Sequence, residues 1–80
     1  MHYVYLIQSE SFPRQKYVGH TKDLKRRLKE HNSGHSTYTS SYTPWKIVTY
    51  LAFQEKAKAL AFEKYLKSGS GHAFAHKRLW

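Results

Sequence analysis

Glu63 is the carboxylate of this chain that most needs an explanation. Of the five acidic residues, four have ordinary places. Glu10 falls in a turn, Asp23 suits the positive end of a helix, Glu30 has Arg26 one turn before it, and Glu55 opens a helix. Glu63 instead has Ala59, Leu60, Leu66 and Lys67 as its neighbours at helical spacing, so its charge sits within a largely apolar stripe. An ion pair with Lys67 one turn on would satisfy it and is worth about 0.3 to 0.5 kcal/mol. A hard divalent cation would also do so. Phosphodiester hydrolysis near neutral pH uses such an ion to stabilise developing charge, and carboxylate oxygens are its natural ligands.

Arg27 and His31 stand one turn apart in KDLKRRLKEHN and so project from one helical face, next to Leu24 and Leu28. Lys22, Lys25, Arg26 and Lys29 spread over the outer side. Such a helix either offers a phosphate clamp with a nonspecific contact surface, or is a solvated helix with its leucines inward. Tyr5 and Tyr17 lie on segments expected to pair as strands, where tyrosine is ordinarily core or rim. A tyrosine, with an ordinary pKa of about 10, acts as a base near neutral pH only beside cations or metal-linked water. His72 and His76 have the spacing of two zinc ligands on a helix, but no HExxH signature or third ligand accompanies them.

The bulk composition narrows the partners. Eighty residues leave room for one core, hence a single domain spanning 1–80. A 40% hydrophobic and 16% aromatic content excludes a disordered polybasic tail. The net charge of +9 attracts phosphates and points to nucleic acid. Without cysteine, disulfide, zinc-finger and thiol chemistry are excluded and a reducing, cytoplasmic setting is expected. No apolar run approaches the roughly twenty residues of a membrane span.

The elements that must hold these residues are legible in outline. HYVYLIQ (2–8) alternates Tyr3, Tyr5 and Ile7 with Val4 and Leu6, as a strand buried on both faces does, and KYVGH (16–20) pairs with it across a turn containing Pro13. Thr21 is the expected N-cap of a helix over 22–32 that stops at Asn32-Ser33-Gly34. HSTYTSSYTP (35–44) lacks apolar periodicity and reads as a surface loop. KIVTYLAF (46–53) is a strand, 55–67 a helix, Ser68-Gly69-Ser70-Gly71 a break, and HAFAHKRLW a short terminal helix docked by Phe74 and Leu79 or Trp80. The order ββαβαα predicts an α+β fold, a small three-stranded sheet flanked by helices.

In this order the residues form a pattern: YVY at 3–5, YVG at 17–19, TKDLKRRLKEHNSG at 21–34, and Glu63 followed by KYLKSGSG. Over nearly its whole length the chain resembles the GIY-YIG nuclease superfamily, in particular its small single-domain members and the N-terminal domain of excision-repair nucleases. The resemblance implies an antiparallel sheet and a metal-dependent endonuclease acting on DNA, in repair. It makes Tyr5 the tyrosine that orders the site, Tyr17 the general base that activates water, and Arg27 the clamp on the scissile phosphate. His31 would help take the proton from Tyr17, and Glu63 would be the ligand of a single Mg²⁺ or Mn²⁺.

There are departures from the family pattern. Tyr3 and Val4 replace Gly and Ile in the first motif and Val18 replaces Ile in the second. His20 stands where some repair-type members have lysine and becomes a pH-dependent phosphate contact. The asparagine expected near the C-terminal helix is absent, with His76 the available substitute. The alternative reading is a non-catalytic nucleic-acid-binding module of the same fold, in which the basic helix meets phosphates and Tyr38, Tyr42 or Trp45 stacks on unpaired bases. With no separate recognition domain, the expected ligand is branched, nicked or single-stranded DNA rather than a long base sequence.

Overall fold

The computed structural model describes residues Met1–Trp80. Its central strand is the one with apolar residues on both faces: β1 (His2–Ser9) lies between β2 (Lys16–Thr21) and β3 (Trp45–Phe53), antiparallel to both. The alternation along β1 divides the core in two. Val4 and Leu6 pack with Ala59, Leu66 and Ala75 of the helices α2 (Lys56–Leu66) and α3 (Gly69–Arg78), whereas Tyr5 and Ile7 pack with Trp45 and with Leu24 and Leu28 of α1 (Leu24–Asn32). A register shift in the β1–β3 ladder between Leu6 and Ile7 sets Tyr5 opposite Tyr50 and Ile7 opposite Ile47.

Three local expectations change. The first helix is capped by Asp23, not Thr21. The Asp23 carboxylate accepts from the Arg26 amide at 3.1 Å, and the Thr21 hydroxyl, still at the end of β2, accepts from the Asp23 amide at 3.1 Å and shapes the approach. Ser68 to Gly71 is the first turn of α3 rather than a break throughout. Ser68 caps it by accepting from the Gly71 amide at 3.2 Å, and a Cβ on Gly71 would overlap the Tyr65 carbonyl, so glycine allows the tight corner between α2 and α3. Phe74 does not reach the core. Its ring lies against exposed Tyr65, while Leu79 and Trp80 pack on the Val4–Leu6 cluster.

The segment 35–44 contains a 3₁₀ turn, Thr39–Tyr42. Thr39 is buried there, and its carbonyl accepts from Trp45 Nε1 at 2.8 Å. Trp45 is thereby committed to the core and is not available to stack on bases. Asn32 ties the end of α1 to the start of β3, accepting from the Trp45 amide at 2.6 Å and donating to its carbonyl at 3.2 Å. These bonds place the C-terminal end of α1 over the face of the sheet that carries Tyr5.

Candidate active site

The β1–β2 register sets Tyr5 opposite Gly19 and Ile7 opposite Tyr17, so both motif tyrosines face α1. A Cβ on Gly19 would lie 2.5 Å from the Tyr5 hydroxyl and 3.0 Å from Cε2 of Tyr17. The glycine therefore lets the Tyr5 ring lie across the neighbouring strand, which brings its hydroxyl to His31 Nε2 at 2.8 Å and Arg27 Nε at 3.2 Å. Arg27 also donates through Nη1 to Glu30 at 3.0 Å. Two of its five N–H donors are engaged, and the side chain is partly exposed, so donors remain for a phosphate.

The Arg27 guanidinium only donates, so the Tyr5 oxygen accepts from it, and the same hydroxyl is hydrogen-bonded to His31 Nε2. The other ring nitrogen of His31, Nδ1, is hydrogen-bonded to Thr39 Oγ1 at 2.7 Å. Burial, reinforced by the positive charge of Arg27, pushes the His31 imidazole down to about 4. Burial raises the Tyr5 phenol to about 12 against the opposing pull of Arg27, so near neutral pH Tyr5 is a hydrogen-bond donor and not a base. Glu30 is held below the ordinary carboxylate range, first by its bond from Arg27.

A stability prediction follows from His31. The unfolded chain takes up a proton near pH 6.5 and the folded protein only near 4, so stability is retained above pH 6.5 and falls as pH drops through that window, by about 3 kcal/mol. Chemical denaturation of the native protein across this range should show the fall, and the His31→Gln variant a flatter profile. Equal slopes in the two proteins would refute the assignment.

The structure directs His31 to Tyr5 and not to Tyr17. Both ring nitrogens are engaged, and Tyr17 meets His31 edge to face with ring centroids 5.2 Å apart. Tyr17 also packs against Tyr5 at 6.3 Å, and Tyr38 stacks on it at 6.0 Å with an interplanar angle of 30°. On the other side of β2, Glu63 accepts from Lys67 Nζ at 3.0 Å and lies 2.6 Å from His20 Nδ1. His20 is thus a partner of the carboxylate rather than a free phosphate contact. Lys67 links the two halves of the site, since its ammonium also stands 5.9 Å from the centre of the Tyr17 ring.

Lys22, Lys25, Arg26 and Lys29 are exposed along α1 and its approach. Tyr42 is half-buried against Phe12, while Tyr38 is exposed and donates to Gln15 at 2.7 Å. Sequence reasoning paired Lys67 with Glu63 but did not find its position over Tyr17, nor Thr39 behind His31, nor Glu30 on Arg27. The Arg27–Glu30 spacing is a signal that was available. His72, read only as half of a zinc pair, lines the same groove as Tyr17 and Lys67.

The donor set at Glu63 fits a hydrated divalent ion of low ligand demand. Mg²⁺ keeps several waters and is commonly held by one or two carboxylates together with phosphate oxygens. Glu63 is the carboxylate here, only 15% exposed, and binding an ion requires Lys67 or His20 to give way.

The GIY-YIG catalytic domain profile matches residues 1–76. The chain belongs to the GIY-YIG family. A UPF0213 protein of Haloquadratum walsbyi is 37% identical over 68 residues, which cover 84% of this chain and 74% of that protein. The structure-specific endonuclease subunit SLX1 of Scheffersomyces stipitis is 35% identical over 80 residues, covering 91% of this chain but only 21% of that much longer protein. The solution structure of a UPF0213 protein from Bacillus halodurans superposes with a TM-score of 0.55 at 32% identity, covering 95% of this chain and 82% of the other. The GIY-YIG assignment gives the facing triplets Tyr3-Val4-Tyr5 and Tyr17-Val18-Gly19 their meaning: the glycine of one accommodates the tyrosine of the other.

Proposed function

We propose that the protein is a divalent-metal-dependent endonuclease that hydrolyses DNA phosphodiester bonds and is guided by branches, nicks or single strands rather than base sequence. The observation that carries this reading is the bonding of Tyr5, Arg27 and His31 into one cluster against Tyr17, with Lys67 joining that cluster to Glu63. The family match supports a nuclease, and SLX1 relatives named as structure-specific endonuclease subunits support a preference for DNA shape. The net charge of +9 and the exposed cations of α1 support backbone contact. The lack of cysteine supports work in the cytoplasm; no helix is long and apolar enough to cross a membrane.

In this mechanism Glu63 would hold Mg²⁺ or Mn²⁺, which would supply positive charge to stabilise the negative charge developing in the transition state. Arg27, steadied by Tyr5 and Glu30, turns its remaining N–H groups to the phosphate. Tyr17, after giving its phenol proton to solvent, accepts the proton of the attacking water, because Tyr5 is already bonded to His31 and Arg27, and the Lys67 ammonium stands 5.9 Å from the centre of the Tyr17 ring. His31 acts through Tyr5 as a positioning residue. Lys22, Lys25, Arg26 and Lys29 hold the flanking backbone, and Tyr38 and Tyr42 add contacts beside Tyr17.

One observation favours a non-catalytic DNA-binding module instead: both Glu63 oxygens already have partners in His20 and Lys67. The deciding experiment presents labelled single-stranded, duplex, nicked and branched DNA to the purified protein with Mg²⁺, Mn²⁺ or EDTA. The expected result is cleavage with either metal, none in EDTA, and faster cutting of interrupted or branched DNA than of plain duplex. Binding without cleavage on every substrate would establish the second reading.

A further inference from the structure

A groove of about 490 Å³ opens beside Tyr17, walled by Tyr17, Tyr38 and Trp80. Its volume is in the range of small-ligand sites, about 300 to 1,000 Å³. Its charged groups are Lys16 and Lys67, no carboxylate lines it, and His72 adds a further polar group. Each lysine stands over an aromatic ring, Lys16 at 5.2 Å from the Trp80 centroid and Lys67 at 5.9 Å from that of Tyr17. Tyr38 is 46% exposed although its ring stacks on Tyr17, so an aromatic surface is left open at the groove.

Aromatic faces with lysines at hand suit a flat π-system attached to an anion. An acidic peptide would use the cations but has no general need of the rings, and a lipid chain would use the apolar walls but not ammonium groups set over aromatic faces. A nucleotide uses both, since its base stacks and its phosphate meets the lysines. A base within an intact duplex is covered by its neighbours, so the occupant must be unpaired.

We propose that this groove binds an unpaired nucleotide of DNA next to the phosphate held at Tyr17 and Arg27, so that the substrate class is DNA with an extruded or single-stranded base adjacent to the cut. The location beside a scissile phosphate rests on the nuclease reading above. The capture of an unpaired base does not.

Binding is therefore measured in EDTA, where no cleavage intervenes, by anisotropy of a labelled single-stranded oligonucleotide. It is compared with the same strand carrying abasic sites and with the matching duplex. The expected result is that the intact strand binds about tenfold more tightly than the abasic one, within the range of base–aromatic stacking. Trp80→Ala and Tyr38→Ala should each remove most of that difference while changing duplex affinity less than the single-strand affinity. Trp80 also packs on the core, so the exposed Tyr38 variant and the abasic strand, which leaves the protein untouched, keep the test decisive. Equal affinity of native protein for intact and abasic strands would overturn the proposal even if the protein cleaves DNA. Base-dependent binding without any cleavage would uphold the groove while the nuclease reading failed.

Discussion

Glu63→Gln is expected to reduce metal-dependent cleavage by roughly 10²- to 10³-fold while leaving the fold in place. The amide has the shape of the carboxylate and keeps a carbonyl acceptor for Lys67, so the local geometry survives. It loses the negative charge that attracts a divalent ion, and its NH₂ group turns a repelling donor toward the site. The stability loss should be small, because Lys67 is largely exposed and ion pairs of that kind contribute at most about 1 kcal/mol. Tyr17→Phe should produce a comparable loss of rate with DNA affinity nearly unchanged, since it removes the hydroxyl and keeps the ring against Tyr38 and His31. Single-turnover rates and thermal melts on both variants check this. Full cleavage by a folded Glu63→Gln protein would place the essential ligand elsewhere.

Gly19→Ala should have a large effect through an added methyl group. The new carbon would stand 2.5 Å from the Tyr5 hydroxyl and 2.7 Å from Cζ. Tyr5 cannot simply retreat, being 2% exposed and tied to both His31 and Arg27. Overpacking of this kind costs about 1–3 kcal/mol, and separating the Tyr5–His31–Arg27 bonds adds a fall in rate. Tyr5→Phe relieves the closest contact. The double variant Gly19→Ala/Tyr5→Phe should therefore be less destabilised than the sum of the single variants. Denaturation midpoints of the four proteins measure the coupling, and strict additivity would show that the glycine serves some purpose other than admitting Tyr5.

The legible parts of the molecule are those written in local spacing. Val4 and Leu6 alternate with Tyr5 and Ile7, which announces a strand covered on both faces, and both faces are covered. Leu24 and Leu28 mark the inner side of α1 and carry Arg27 and His31 with them. The Glu63–Lys67 pair is a one-turn spacing and is present. Two of the changed expectations arose where one short-range rule competed with another. Thr21 and Asp23 are both good caps, and the extension of β2 through Thr21 decided between them. The serines and glycines at 68–71 suit a break and a helix start equally, and close contact with Tyr65 favoured the start at Gly69.

By itself the sequence determined the strands and helices in outline and the outward cations of α1, because helix and strand periods assign residues to faces without reference to the rest of the chain, whereas Tyr5, Tyr17, Arg27, His31 and Glu63 were singled out as a set by the family resemblance. Tertiary structure decided which of those side chains touch. His31 turns to Tyr5 rather than Tyr17 because Gly19, on a different strand, leaves room for the Tyr5 ring and Thr39, in a segment that reads as a surface loop, meets the second imidazole nitrogen. His20 and Lys67 meet at Glu63, and Lys67 extends over Tyr17, because the edge of β2 passes beside α2. Hydrogen-bond partners across separate elements depend on a few ångströms of packing, a scale on which spacing along the chain carries no information.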